Sequence, residues 1–446
     1  MCVLCIGAIV GSSLLTSISP LAVIEESVST KPETAHVIMN IKPEIRDTKC
    51  VRVGTIRTVK TVRYECKKSA KGLRWVVAAN RSGSTTPNPS SGTTTTTTTL
   101  PPGVMKATCG GGLAPCPSET ATTVEVAACK IPDATPGDVV QGFPRPSRAK
   151  PGKSELNVLV VPVRYANNPT SEEQVKKDFE REFQKTRSVF DRNSYKRVTP
   201  IFTLEPETQW ISVAETSQQF VDARGGDLKR VTQDLVSLIF RQNLKDFDSI
   251  FIVAAGGTTY FGGMDQTATY KHSSGDIGSV YLQTGPASLA AFPHNLGHTA
   301  YYFEDLYLHP ANASSGQSTT PLRFDAMAGG SDEYVAWNRW LAGFLYDAEV
   351  NCLSTSESDT VHRLTHINSS TGKKLSVIRL GYGRAIFIEY NNDAIHVYEL
   401  NSWIGHGAGP IKTLGTLQNG QTLVYGNFEF TVLTLDQNGA YVKVKQ

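Results

Sequence analysis

The chain has 446 residues, of which 40% are apolar and 19% charged, and its formal net charge is +3. That length accommodates two or three domains. The near-neutral balance gives no reason to expect a nucleic-acid partner.

Met1 to Pro20 carries no charge, and Val3 to Leu15 is an apolar run the length of a signal-peptide core. Residues 1–24 are therefore expected to be a signal peptide or an uncleaved anchor of a secreted or cell-wall-associated protein. Beyond Cys2 and Cys5 there are six cysteines: Cys50, Cys66, Cys109, Cys116, Cys129 and Cys352. An even number of scattered cysteines fits disulfides made in an oxidising compartment. Cys50 with Cys66 is the expected pair, and the connectivity of the other four stays open.

Residues 46–78 hold ten Lys or Arg against Asp47 and Glu65. Val51, Val53, Val59 and Val62 alternate with the basic residues, which predicts a small Cys-bridged β module. Its charge fits an anionic cell-wall polymer as well as a plain solvated basic face. Residues 79–104, with the run Thr93 to Thr99 and Pro101-Pro102, read as an extended linker. Residues 105–153 are rich in Gly and Pro and hold three cysteines, an irregular lead-in.

The main domain is expected at 154–350. Asn157 to Val163 and Ser249 to Ala254 are apolar enough for buried strands. Thr170 to Ser188 has helical periodicity, with Thr170 or Ser171 as N-cap and Glu172-Glu173 in the first turn, and Leu228 to Gln242 is a second amphipathic helix. From 351 to 446 the pattern changes to short strands with turns at Asn391-Asn392-Asp393 and Asn419-Gly420, which predicts an antiparallel β-sandwich. The fold class is α+β.

The segment that carries chemistry is His294-Asn295-Leu296-Gly297-His298-Thr299. Histidines at i and i+4 share one helix face, and both imidazoles then reach one Zn²⁺ at about 2.0–2.1 Å. In a zinc peptidase the residue after the first His is Glu, which takes the proton of the metal-bound water and returns it to the leaving amine. An amide at Asn295 has no basicity for that task. No Walker or dinucleotide loop and no Ser-His-Asp set is apparent.

Several motifs in order are similar to the immune inhibitor A family of secreted zinc metallopeptidases. Its pattern His-Glu-Leu-Gly-His-Thr-Leu-Gly-Leu-Pro-Asp-Leu-Tyr resembles His294 to Tyr307. Phe324 to Gly330 is similar to its Met-turn segment, Ala336 to Leu345 to the following helix, and Ala385 to Tyr390 to the start of its β domain. The resemblance spans about 156–444. It implies a metzincin-like domain, with His294 and His298 as zinc ligands, Glu304 or Asp305 as the third, and Met327 beneath the site. It also implies a groove for a peptide or protein.

The chain departs from that pattern in four ways. Asn295 replaces the general base, Tyr301 stands where the family has a turn-forming Gly, the third-ligand register is shifted, and Pro293 directly precedes the first His. The expectation is a pseudopeptidase that acts by binding. The competing readings are an active zinc endopeptidase with Glu304 or Asp305 as substitute base, and a surface adhesion or scaffold protein. His309 is a candidate substitute ligand, and Trp337 and Trp340 are candidate core residues.

Overall fold

The computed structural model describes the strands at 56–59, 62–69, 72–77, 108–109 and 114–115. It further describes residues 116–446 apart from 121–122, 135–140, 168–170, 255–261, 284–290, 310–311, 313–321, 330, 354–358 and 406. The expected leader at 1–24, the linker at 79–104 and Cys50 lie outside the described residues. The chain divides into two units, Met1–Thr99 and Leu100–Gln446. No helix among the described residues is long and apolar enough to cross a membrane.

In the first unit β1 (Ile56–Val59), β2 (Val62–Ser69) and β3 (Gly72–Val77) form an antiparallel meander in which Cys66 lies opposite Trp75. These strands fall within the 46–78 module read from the alternating valines.

The second unit begins with a short pair, β4 (Thr108–Cys109) with β5 (Ala114–Pro115). A largely parallel sheet follows, made of β6 (Glu155–Arg164), β7 (Thr199–Leu204), β8 (Ile211–Ser212), β9 (Ser249–Ala254), β10 (Gly262–Gly263) and β13 (Val280–Gln283). Its order is β10-β13-β9-β6-β7, with β8 also on β6, and β10 is an antiparallel edge. A separate ribbon joins β11 (Tyr270–His272) to β12 (Gly275–Ile277).

Helices cover both faces of this sheet, which is why β6 and β9 read as unbroken apolar runs. Leu156, Val158, Val160 and Phe251 point into one core, while Leu159, Val161, Ile250 and Ile252 point into the other. The second core is closed by α2 (Ser217–Asp222) and α3 (Leu228–Ser237). The first is closed by α1 (Glu172–Asn193), α4 (Phe292–Tyr301) and α5 (Ala336–Leu341). Ser171 caps α1 by accepting from the Gln174 amide, and Val175, Phe179, Phe183 and Phe190 give the helix its buried stripe. Helix α3 stops at Ser237, short of the expected Gln242, and leaves Leu238 and Phe240 exposed.

The C-terminal part holds two sheets. One is β14 (Val350–Leu353), β16 (Leu375–Gly381), β17 (Arg384–Asn391), β18 (Ala394–Asn401) and β19 (Ile411–Leu417), in the order β14-β16-β17-β18-β19. The other is β15 (Asp359–Leu364), β20 (Thr422–Tyr425), β21 (Phe428–Asp436) and β22 (Gly439–Lys445), in the order β15-β22-β21-β20. All pairs are antiparallel except β14 with β16, a parallel pair the turn pattern did not reveal.

The central strands β17 and β18 of the five-stranded sheet are buried on both faces. Ile378, Ile386 and Ile388 pack on Phe430, Val432 and Val442 of the other sheet. Val377, Ala385 and Phe387 join Trp337 and Trp340 in the core that also seats α4. The lead-in is built into the same unit. Cys129 is disulfide-bonded to Cys352 at the start of the sandwich, Thr123 bridges to Leu353, and the Gln141 carbonyl accepts from the Trp337 indole. Cys116 is also disulfide-bonded.

Candidate metal centre

Helix α4 starts where Pro293 allows it to. Proline in the first turn lacks only an N–H that has no intrahelical partner there, so the helix begins at Phe292 and is not kinked. Phe292 fixes the helix on the sheet through edge contacts with Phe202 and Phe251, and against α1 through Phe179 and Phe183. Burying such a ring stabilises by about 1.5–3 kcal/mol. Two turns further along the same helix face Thr299 accepts a hydrogen bond from Ser249 of β9 at 2.9 Å.

The helix runs through Tyr301, so Tyr301 is not the turn residue that its place in the pattern implied. The left-handed residue is Tyr302, with φ 58° and ψ 41°, one position later. For a side chain other than Gly this conformation costs about 1–2 kcal/mol. Arg145 of the lead-in offsets it by donating to the Tyr301 and Tyr302 carbonyls at 2.5 and 3.0 Å, a cation at the helix C-terminus. The Tyr302 hydroxyl lies 3.0 Å from Ser279.

One extra residue before the turn shifts everything after it by one. His294, His298 and Asp305 therefore converge, and Glu304, the alternative third ligand, is buried outside that group. His294 Nε2 and His298 Nε2 are 2.9 Å apart, and Asp305 Oδ1 lies 3.3 and 3.2 Å from them. Tetrahedral coordination at about 2.0–2.1 Å places neighbouring ligand atoms about 3.3–3.4 Å apart. The triangle is thus nearly one face of a zinc tetrahedron, with the fourth direction left to the cleft.

The hydrogen bonds around the triangle fix what it can hold. His294 Nδ1 is 2.9 Å from the Ala326 carbonyl, and His298 Nδ1 is 2.8 Å from the Phe303 carbonyl. A carbonyl only accepts, so both Nδ1 atoms carry their protons and both Nε2 atoms turn toward each other and toward Asp305. In neutral rings those are two lone pairs facing a carboxylate oxygen, and Asp305 Oδ1 has no hydrogen bond of acceptable geometry. Burial alone would raise the Asp305 pKa, yet the two imidazoles hold the carboxyl well below its usual range. Burial likewise opposes charge on His298, and Asp305 overcomes it, so the imidazole is raised. Positive charge is what this point demands, and the donor set of two imidazoles and a carboxylate suits a divalent transition metal.

Met327 lies beneath the site. Its side chain is fully buried, and a Cβ added at Gly297 would sit 2.6 Å from its sulfur. The turn that carries Met327 is organised by Asp325. Its Oδ1 accepts from the Met327 and Ala328 amides at 2.7 and 3.2 Å, and its Oδ2 from the Val335 amide at 2.6 Å. Burial pushes this carboxyl up to about 7. The turn in turn holds both ligand segments, since the Ala326 carbonyl orients His294 and the Met327 carbonyl accepts from the Leu306 amide.

Asp305 Oδ2 accepts from the Tyr307 hydroxyl at 3.0 Å and lies 3.9 Å from His309 Nε2. His309 is thus beside the carboxylate, on the side away from the two imidazoles, and its ring packs on Tyr307. Asn295 is buried in the wall of the same cleft. Its Nδ2 donates to Gln283 Oε1 on β13 at 3.1 Å. The cleft has a volume of about 890 Å³ and runs from the triangle to the edge strand β10 and to Asp265 and Asp332. His362 and His366 form no part of it; His362 is bonded to Thr360 within β15.

No local pattern marks Arg145 or Gln283, because each acts across more than ten residues of chain. Gly297, between the two histidines, did carry one, since a glycine inside a helix needs a packing reason. No protein-family model matches this chain, and no curated protein matches it.

Proposed function

We propose that the 100–446 unit is a metzincin-like metallopeptidase relative that holds a divalent metal, zinc by its donor set, and binds peptide without hydrolysing it. The observation that carries this reading is the triangle of His294 Nε2, His298 Nε2 and Asp305 Oδ1, with both Nδ1 protons committed to backbone carbonyls. Bound there, zinc would supply Lewis acidity to a water or carbonyl oxygen in the fourth position.

Among the described residues, the position next to His294 that would hold the general base carries an amide. Asn295 stands in the general-base position and is tied to Gln283. Asp305 Oδ1 completes the donor triangle and its Oδ2 accepts from Tyr307, and Glu304 is not in the donor group, so neither supports the reading of a substitute base. The cleft remains, and β10 at its rim supports peptide binding by strand addition, because an antiparallel edge offers backbone donors and acceptors to an extended chain. Secretion, and attachment to an anionic wall polymer through residues 46–78, remain part of the proposal on the sequence grounds given above.

The test is metal stoichiometry with activity measured alongside. Protein stripped with a chelator and returned to zinc should hold one zinc per chain. It should lose it in His298→Ala and in Asp305→Ala, and leave casein intact throughout. Failure to retain metal removes the centre from the proposal, and chelator-sensitive hydrolysis by the unaltered chain removes the absence of turnover.

A further inference from the structure

The C-terminal end of α4 is completed by the lead-in. The Ala300 carbonyl accepts from the Lys150 amide at 2.8 Å, and the Tyr301 and Tyr302 carbonyls accept from Arg145 Nη2 at 2.5 and 3.0 Å. Carbonyls at a helix end have no partner within the helix, so these bonds come from outside it. Arg145 is itself anchored: its Nη1 donates to the Gly142 carbonyl at 2.9 Å, and its guanidinium lies 6.0 Å from the centre of the Phe303 ring. The next carbonyl along, that of Phe303, accepts from His298 Nδ1 at 2.8 Å and from Gln266 Nε2 at 3.0 Å. Arg145 thus holds the chain one residue before a carbonyl that orients one imidazole and three residues before the carboxylate that joins it.

The left-handed Tyr302, with φ 58°, reverses the chain so that Asp305 Oδ1 comes within 3.3 and 3.2 Å of His294 and His298, while Glu304 stays outside the donor group. Ending the helix one residue earlier or later changes which carboxylate arrives. From this geometry we propose that Arg145 is a positioning residue of the metal centre: its hold on the Tyr301 and Tyr302 carbonyls keeps Tyr302 left-handed and so delivers Asp305 to the two imidazoles. The lead-in is then a working part of the centre although it contributes no ligand. Without the guanidinium, metal binding must itself supply the cost of the left-handed turn, and the apparent affinity falls by the corresponding factor. The inference rests on the metal-holding reading above and adds the residue that selects the third ligand.

The test is a cycle of Arg145→Ala and Tyr302→Gly in the full chain, because glycine adopts the left-handed conformation without the Cβ penalty. Cobalt(II) would be titrated into each variant, its visible ligand-field bands reporting affinity and coordination, while urea unfolding of the metal-free protein reports stability. Arg145→Ala alone should weaken cobalt binding by about five- to thirtyfold, the factor equivalent to the left-handed cost. In the Tyr302→Gly background the same change should alter cobalt affinity by no more than about twofold. The stability lost with the two orphaned carbonyls should remain in both backgrounds, which separates positioning of the ligand from plain support of the fold. If Arg145→Ala does not fold, Arg145→Lys, which keeps a cation but cannot reach both carbonyls in the same way, takes its place in the cycle. An effect on cobalt affinity of the same size in both backgrounds, or none in either, overturns the inference and leaves the metal centre standing. Failure of the unaltered chain to bind cobalt overturns both.

Discussion

Replacing Gly297 by Ala tests directly whether the methionine turn supports the ligand helix. The new Cβ would lie 2.6 Å from Met327 Sδ, 3.1 Å from Phe303 Cδ2 and 3.4 Å from Met327 Cε. Helix propensity alone favours Ala over Gly by about 0.8–1.0 kcal/mol. Overpacking a filled core costs about 1–3 kcal/mol, so Gly297→Ala should be destabilising by up to about 2 kcal/mol. Met327→Ala empties a fully buried site and should cost about 2–5 kcal/mol. In the double variant the added methyl enters the space that the thioether leaves, the clash with Met327 is gone, the closer approach to Phe303 gains room to relax, and the helical gain remains. The two changes should then couple favourably by about 1–3 kcal/mol, well beyond the 0.3–0.5 kcal/mol scatter of independent sites. Urea unfolding followed by tryptophan fluorescence measures this, since Trp337 and Trp340 lie in the same core. Additive effects would mean that Met327 does not lie under Gly297, and the account of how the two histidines are supported would fail with it.

Asn295→Glu should show chelator-sensitive peptidase activity well above that of the unaltered protein. A general base contributes about 10²–10⁴-fold, so a gain below about tenfold on a fluorogenic peptide, with zinc bound, would show that more than the base has been lost. Replacing Cys129 and Cys352 together by Ala should lower stability by about 2–5 kcal/mol, because the bridge closes residues 223 apart in sequence. Thermal melts under equal buffer conditions check it, and an unchanged midpoint would refute the role of the lead-in as a tethered part of the fold. His396 is buried between Thr416 and the Asn391 carbonyl, and burial lowers its pKa to about 4. The unfolded chain therefore binds the proton first as pH falls. The stability this site contributes is complete above about pH 6.5 and declines toward pH 4, by about 3 kcal/mol over that window. Unfolding curves of His396→Gln should lack that portion of the acid limb, and an unchanged limb would place the titration elsewhere.

Much of this molecule was legible before any coordinates. The apolar runs at 158–163 and 250–254 marked buried strands, and Ser171 with Glu172-Glu173 marked the start of α1, because these signals are local. The i, i+4 histidines and the amide between them were equally visible. Only the tertiary structure chose Asp305 over Glu304, since that choice depends on where α4 stops, and α4 stops one residue late because a left-handed Tyr302 is held by Arg145 from more than 150 residues upstream. It also fused the expected sandwich with the main domain, as alternate residues of β17 serve two cores. Periodicity tells a strand that both of its faces are buried; which partners bury them is decided by contacts that no short stretch of sequence contains.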